Sequence, residues 1–195
     1  MFPFLLIFII FCIVLSYYIK KGNESQKKVQ EEFWEKERLA NLTRKQDISK
    51  LDYITIPFEK IPVKLSTTTE ESFFALANKP MLNLTGISNT DLKLTYGVGN
   101  LAELSEYDSN FSDMVTILPQ YTEELIAAGH ESVAQILLEF AVGCKADSKK
   151  IYSQLALLYH NNLQTDKLKD LFDSANTLPE YTRIAIQNEL SAYLP

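Results

Sequence analysis

The sequence has little of what catalytic and cofactor sites are usually built from. It contains six glycines, two cysteines and two histidines in 195 residues. Gly97 and Gly99 form a single G-V-G, without the third glycine and the strand–turn–helix context of a dinucleotide fingerprint. His130 is followed by Glu131, but no second histidine stands at the spacing of a zinc-binding helix. We therefore predict no catalytic residue, no metal and no cofactor, and we do not expect an enzyme.

The positions of the cysteines and of the charged residues limit which disulfides and which partners we predict. Cys12 lies in an apolar run and Cys144 in a helical stretch, so we predict no disulfide within the chain. Residues 20–50 carry a net charge of +3 and residues 51–195 a net charge of −9. The basic part can meet anionic lipid headgroups. The acidic part would be repelled by phosphates, so nucleic acid is not a predicted partner.

Residues 1–19 form an uncharged apolar run, MFPFLLIFIIFCIVLSYYI. As a helix this run is about 28 Å long, close to the hydrocarbon thickness of a bilayer, and it predicts a single transmembrane helix. The competing interpretation is a cleaved signal peptide. That would need a basic start, a shorter apolar core and small residues before the cleavage site, and none of these features is present. Six Lys/Arg residues between positions 20 and 38 predict that the following part is cytoplasmic.

Residues 20–46 are predicted to form a charged juxtamembrane helical stalk. Their composition favours helix, and residues 22–25 (GNES) are predicted to break or re-cap it. Trp34 allows two interpretations. It anchors an interfacial or partner-binding helix, or it belongs to a solvated stalk that docks loosely on the following domain.

Residues 47–110 are predicted to be an extended segment followed by short helices that pack on the domain. Pro57 and Pro62 exclude a regular helix around them. Helix starts are predicted at residues 66–71 and 88–91, where Ser, Thr, Asn and Asp residues gather.

Residues 111–195 are predicted to form a helical-repeat domain, because apolar residues recur at helical spacing with regular breaks. The predicted helices lie near 112–128, 131–144, 148–162, 164–177 and 180–193.

A thirty-four-residue period runs through this region. The later copy contains Tyr152, Leu155, Ala156, Tyr159, Leu168, Phe172, Ala175 and Pro179. The earlier copy contains Leu118, Tyr121, Leu125, Gly129, Ala134, Leu138 and Ala141. Over residues 115–182 this pattern resembles the tetratricopeptide repeat, although Leu168 and Thr122 stand where that family has small residues and Pro179 comes one place early.

The resemblance implies pairs of helices that bind a protein or peptide on a concave face. The positions it implies for partner binding are Tyr121, Glu124, Gln154 and Leu158. The stretches RKQDISKLDYITIPFEKIP and LTGISNTDLKLTYG also resemble a group of small membrane-anchored proteins of Firmicutes-type bacteria. That group supplies no activity to carry over.

The sequence thus predicts a mainly α protein with one transmembrane helix and a tetratricopeptide-like domain, which acts as a membrane-anchored scaffold that binds a protein partner. Two alternatives stay open. One is a membrane-tethered enzyme with a site within residues 83–108, around Asn89, Asp91 and Tyr96. The other is an extracytoplasmic envelope component with the same fold.

Overall fold

The structure is a computed structural model that describes residues 2–194, without the side chains of residues 2 and 25. Met1 and Pro195, the ends of two predicted segments, lie outside the described residues. Across residues 2–194 the chain is mainly helical and has no strand. Its eight α-helices there are α1 (Phe2–Leu42), α2 (Thr68–Phe74), α3 (Asn89–Tyr96), α4 (Leu101–Ala127), α5 (Glu131–Gly143), α6 (Lys149–Asn161), α7 (Thr165–Ser174) and α8 (Glu180–Leu190). Short 3₁₀ turns cover Phe58–Lys60, Val98–Asn100 and Ala175–Thr177.

The predicted helices after residue 130 are confirmed with small shifts at their ends. The helix predicted near 112–128 is longer than expected, because α4 already begins at Leu101. Pro119 lies inside α4 without ending it. Its ring is buried, and tertiary packing of this kind compensates for the hydrogen bond that a proline removes.

Helix α1 runs without interruption through residues 22–25, so the predicted break there is wrong. A single glycine in a helix costs only about 1 kcal/mol relative to alanine, and good helix formers stand before it at residues 20–21 and after it at residues 26–28. The chain around Pro57 and Pro62 is irregular, as predicted, apart from the 3₁₀ turn Phe58–Lys60.

The chain divides into two compact units, each built from two separate segments. Unit 1 contains residues up to 48 together with 88–101, and unit 2 contains residues 49–87 together with the chain from 102 onward. Unit 1 therefore holds α1, α3 and the turn Val98–Asn100. Unit 2 holds α2 and α5–α8, together with nearly all of α4.

Unit 2 has a continuous apolar core centred on α6, which packs against α5, α7 and α8. Tyr121 on α4 and Tyr152 on α6 are among the largest side chains that are fully buried. The ring of Phe73 on α2 stacks on the ring of Tyr121 with centroids 5.0 Å apart. Burying one such side chain contributes about 2 kcal/mol, so α2 is held firmly on α4.

Helices α4 and α6 end in the same way, thirty-four residues apart. At the end of α4, the Gly129 N–H donates to the Ile126 carbonyl and the His130 N–H to the Leu125 carbonyl. At the end of α6, the equivalent donors are the N–H groups of residues 163 and 164, which bond to residues 160 and 159. Gly129 and Leu163 both have left-handed backbones, with φ of 81° and 55°. Each helix thus closes with a Schellman-type cap, and α5 closes in the same way through the N–H groups of Lys145 and Ala146.

Candidate functional site

The adjoining faces of α4 and α6 are joined through the side chain of Gln154. Its Nε2 donates to the Pro119 carbonyl at 2.9 Å and to Glu123 Oε1 at 3.0 Å. Its Oε1 accepts a hydrogen bond from Thr122 Oγ1 at 3.0 Å. The amide thereby satisfies polar groups on both helices and fixes the position of α6 beside α4.

The outer edge of the contact between α4 and α6 is exposed and carries both charged and apolar side chains. Lys150 forms an ion pair with Glu123 at 3.0 Å, and both side chains are about half exposed. Leu157 on α6 is 47% exposed. Lys150, Gln154 and Leu157 follow helical i, i+4, i+7 spacing, so they share one face of α6. We call Glu123, Lys150, Gln154 and Leu157 the α4–α6 surface.

The four positions implied by the repeat resemblance have different surroundings. Tyr121 and Leu158 are buried in the core. Gln154 is partly exposed and lies at the centre of the α4–α6 surface. Glu124 is partly exposed and accepts hydrogen bonds from the hydroxyls of Thr67 and Thr69, both at 2.6 Å. We keep only Gln154 of the four in the candidate surface.

Glu123, Lys150 and Leu157 are not among the positions that the repeat resemblance implied. Glu123 and Leu157 are next to the implied positions 124 and 158, and one residue along a helix turns the side chain by about 100°. The apolar stripe Tyr152, Leu155 and Tyr159 could have indicated these residues. The stripe is buried, so the residues on the opposite side of α6 must face outward.

Two groups behind the surface have shifted pKa values. Burial and the nearby negative charge of Glu70 raise the pKa of Tyr121 to about 12. Tyr121 is therefore a neutral hydrogen-bond donor at physiological pH. Hydrogen bonds from Thr67 and Thr69 lower the pKa of Glu124 below its ordinary value, so Glu124 is ionised there.

Residues 83–108, the region suggested for an enzymatic site, contribute to two separate sets of contacts. In unit 2, Asn83 Nδ2 donates to the carbonyls of Cys144 and Lys145 and so caps the end of α5. In unit 1, Asp91 pairs with Lys36 at 2.7 Å. The Lys36 ammonium lowers the pKa of Asp91.

Of the other two residues suggested for that region, Asn89 is exposed at the start of α3. The backbone carbonyl of Tyr96 accepts a hydrogen bond from the Gln46 N–H at 2.9 Å. The contacts of these residues are those of helix capping and helix docking.

Within unit 1, α3 docks on the C-terminal turns of α1. Lys93 is buried and pairs with Glu37, and its ammonium also donates to Asn41 Oδ1 at 3.0 Å. Ala40 is fully buried. A buried lysine is stable only when it is paired, so these contacts specify how α3 lies on α1.

The first half of α1 is apolar and exposed. Among the described residues, one helix is long and apolar enough to cross a membrane, with a mean hydropathy of 2.2 over its most apolar window. This assignment rests on length and composition, and a signal sequence has the same properties. Side chains from Phe4 to Ile19 are largely exposed, as they would be toward lipid.

Neither a scan of protein-family models nor searches of curated proteins and of solved structures found a match to this chain. Within residues 2–194 no three His, Cys, Asp or Glu side chains are grouped so that they could hold a metal ion.

Proposed function

We propose that this protein is a membrane-anchored, non-enzymatic scaffold whose tetratricopeptide-like domain binds a protein partner through the α4–α6 surface. The observation that carries the proposal is the thirty-four-residue spacing of α4 and α6, whose equivalent positions are buried. A helix–turn–helix unit of this period is typical of the tetratricopeptide repeat, which serves as a binding scaffold.

The burial pattern is the same on both helices. Leu118, Tyr121 and Leu125 on α4 are buried, and so are their counterparts Tyr152, Leu155 and Tyr159 on α6. With these residues in the core, the α4–α6 surface faces outward. Its ion pair, amide and exposed leucine combine polar and apolar contacts, as protein interfaces do.

The anchor and its flanking charge support membrane attachment and orientation. The apolar part of α1 is followed by six Lys/Arg residues between positions 20 and 38. On the positive-inside rule the helical domain is cytoplasmic. A fluorescent protein and alkaline phosphatase, fused in turn to the C-terminus, test this. We expect fluorescence and no phosphatase activity, and the reverse result would favour the extracytoplasmic alternative.

Site-specific photo-crosslinking in cells tests the binding surface. A benzoylphenylalanine at Leu157 should give a discrete crosslinked product, because this side chain is exposed beside Gln154. The same group at Ser132, which is exposed on α5, is the matched control. Charge reversal at Lys150 should reduce the Leu157 product about tenfold, a typical loss for one interface contact.

The outcome is decisive if the fold is monitored in parallel by circular dichroism. Equal products from Leu157 and Ser132 would contradict a dedicated α4–α6 surface. A folded, membrane-located protein with no product at either position would contradict it as well.

A further inference from the structure

A second candidate site is a groove between α5, α6 and α7. It has a volume of about 400 Å³. Val142, Leu155 and Leu171 give it an apolar lining. Glu139, Lys167 and Asp170 bring charged groups to it. The groove lies entirely in unit 2 and contains no residue of the α4–α6 surface.

The Lys167 ammonium is held in this groove by two kinds of contact. It lies 2.9 Å from Glu139 Oε1 and 5.5 Å from the centroid of the Tyr159 ring. A carboxylate beside an aromatic face is an arrangement that attracts cations, through a charge-assisted hydrogen bond and a cation–π contact. The groove therefore already has the chemistry of a cation site, occupied by the chain's own lysine.

The charge states of the site suit this role. Burial alone would raise the pKa of Glu139, but hydrogen bonds from Lys167, Gln135 and Tyr159 bring its pKa below the ordinary value. Burial and the adjacent Glu139 carboxylate raise the pKa of Tyr159, so the phenol stays neutral. At neutral pH the Lys167 ammonium thus contacts an anionic Glu139 and an uncharged aromatic ring.

Lys167 is held weakly enough to be displaced. Its side chain is 50% exposed, and a half-exposed ion pair contributes about 1 kcal/mol or less. If the ammonium swings into water, Glu139 and Asp170 leave the groove with two uncompensated negative charges. The rest of residues 51–195 adds to this negative potential, because the whole stretch carries a net charge of −9.

We propose that this groove binds an arginine side chain of a protein partner, and that Lys167 occupies the site in the free protein. The guanidinium replaces the Lys167 ammonium at Glu139 and lies on the Tyr159 ring. The aliphatic stem of the arginine packs on Val142 and Leu171. Arginine fits better than lysine because its planar cation forms bidentate bonds to a carboxylate and stacks on an aromatic face.

This inference does not depend on which surface carries the proposed scaffold function. Its test is a binding titration of the full-length protein in lipid nanodiscs with two fluorescent peptides. One is a short glycine–serine peptide with a central arginine. The other is identical except for citrulline, which keeps the shape and removes the charge. We expect the citrulline peptide to bind about tenfold more weakly, since a charge-assisted contact is lost.

The sign of the Lys167 effect separates this site from a purely structural cluster. Lys167→Ala removes the competing cation and should tighten binding of the arginine peptide about threefold or more. Lys169→Ala is the matched control, since Lys169 is exposed on the same helix and the charge change is identical. It should change binding less than about twofold, because exposed charges act weakly through water.

Two further variants keep the test decisive. Glu139→Gln should weaken binding about tenfold. Asp170→Asn, at an exposed position, should weaken binding by a smaller factor. Equal binding of the two peptides, or equal tightening by Lys167→Ala and Lys169→Ala, would overturn the proposal. Crosslinking at Leu157 is unaffected by these variants if the two surfaces act separately, so failure of this site and failure of the scaffold function can be told apart.

Discussion

Gly97 lies directly against the backbone of Arg44. A Cβ atom built on Gly97 would overlap the carbonyl group of Arg44 and would lie 2.7 Å from the Lys45 nitrogen. The backbone of Gly97 has φ of 87° and ψ of 147°, a region that only glycine adopts readily. The end of α3 can therefore approach the chain that leaves α1 only because this residue has no side chain.

Gly97→Ala should consequently loosen α3 from α1. The strained backbone and the overlap together cost about 3 kcal/mol, more than a local contact of this size can absorb. Hydrogen–deuterium exchange followed by mass spectrometry should show faster exchange in residues 88–101. The control is Gly86→Ala, which has a similar φ of 84° but open space around it. Equal protection in both variants would contradict the close approach as the cause.

The hydrogen bonds of Glu124 predict an acid-sensitive link between α2 and α4. Because Thr67 and Thr69 lower the pKa of Glu124, folding favours its ionised form. The stabilisation is complete above the ordinary carboxyl pKa of 4.5 and is lost as pH falls through the lower folded-state value. Glu124→Gln should therefore be less stable than the parent protein at pH 7.

Urea unfolding at two pH values checks this. The stability difference between the parent protein and Glu124→Gln should shrink as the pH falls from 7 to below 4.5, because the carboxyl group is then protonated first in the unfolded and afterwards in the folded state. Glu106→Gln, at an exposed position on the same helix, is the control. A difference that stays constant from pH 7 to below 4.5 would show that the Glu124 carboxylate is not the source of the effect.

Local sequence signals predicted much of the fold. Ser88 stands at the predicted helix start and accepts a hydrogen bond from the Asp91 N–H at 3.2 Å. Thr67 caps α2 in the same way through the Glu70 N–H. Such capping depends on residues three positions apart, so it can be read from the sequence.

Long-range pairing could not be predicted in this way. Lys93 is separated from Glu37 by 56 positions, and nothing near either residue marks the other as its partner. The exposed face of α4 was equally hard to assign. Glu123 and Glu124 are neighbours of the same type, and only the packed structure shows that one faces Lys150 while the other lies against Thr67 and Thr69.

The matched ends of α4 and α6 predict opposite effects of glycine at two equivalent positions. Leu163 is 87% exposed and has φ of 55°, so its side chain gains little from packing while its backbone is strained. Leu163→Gly should raise the free energy of unfolding by about 1 kcal/mol. Gly129→Ala should lower it by about the same amount, because φ there is 81°.

Thermal or urea unfolding of the two variants measures this pair of effects. Leu163→Ala is the control that removes the side chain but keeps the strain, and it should leave stability nearly unchanged. If Leu163→Gly is instead destabilising, the leucine side chain makes a contact that outweighs its backbone conformation.

The apolar part of α1 predicts an uncleaved anchor. The mass of the mature protein distinguishes such an anchor from a cleaved signal sequence. Protein extracted from membranes should have the mass of the unprocessed chain, and alkaline carbonate should not release it. Replacing Ile10 and Val14 with arginine should move the protein to the soluble fraction, since each charge at the centre of a span costs about 3 kcal/mol. Arginine at Val29 and Phe33, which are exposed farther along α1, should not do so. A mature protein that begins after residue 19 would instead identify the segment as a cleaved signal, because an anchor must remain attached to the domain it holds.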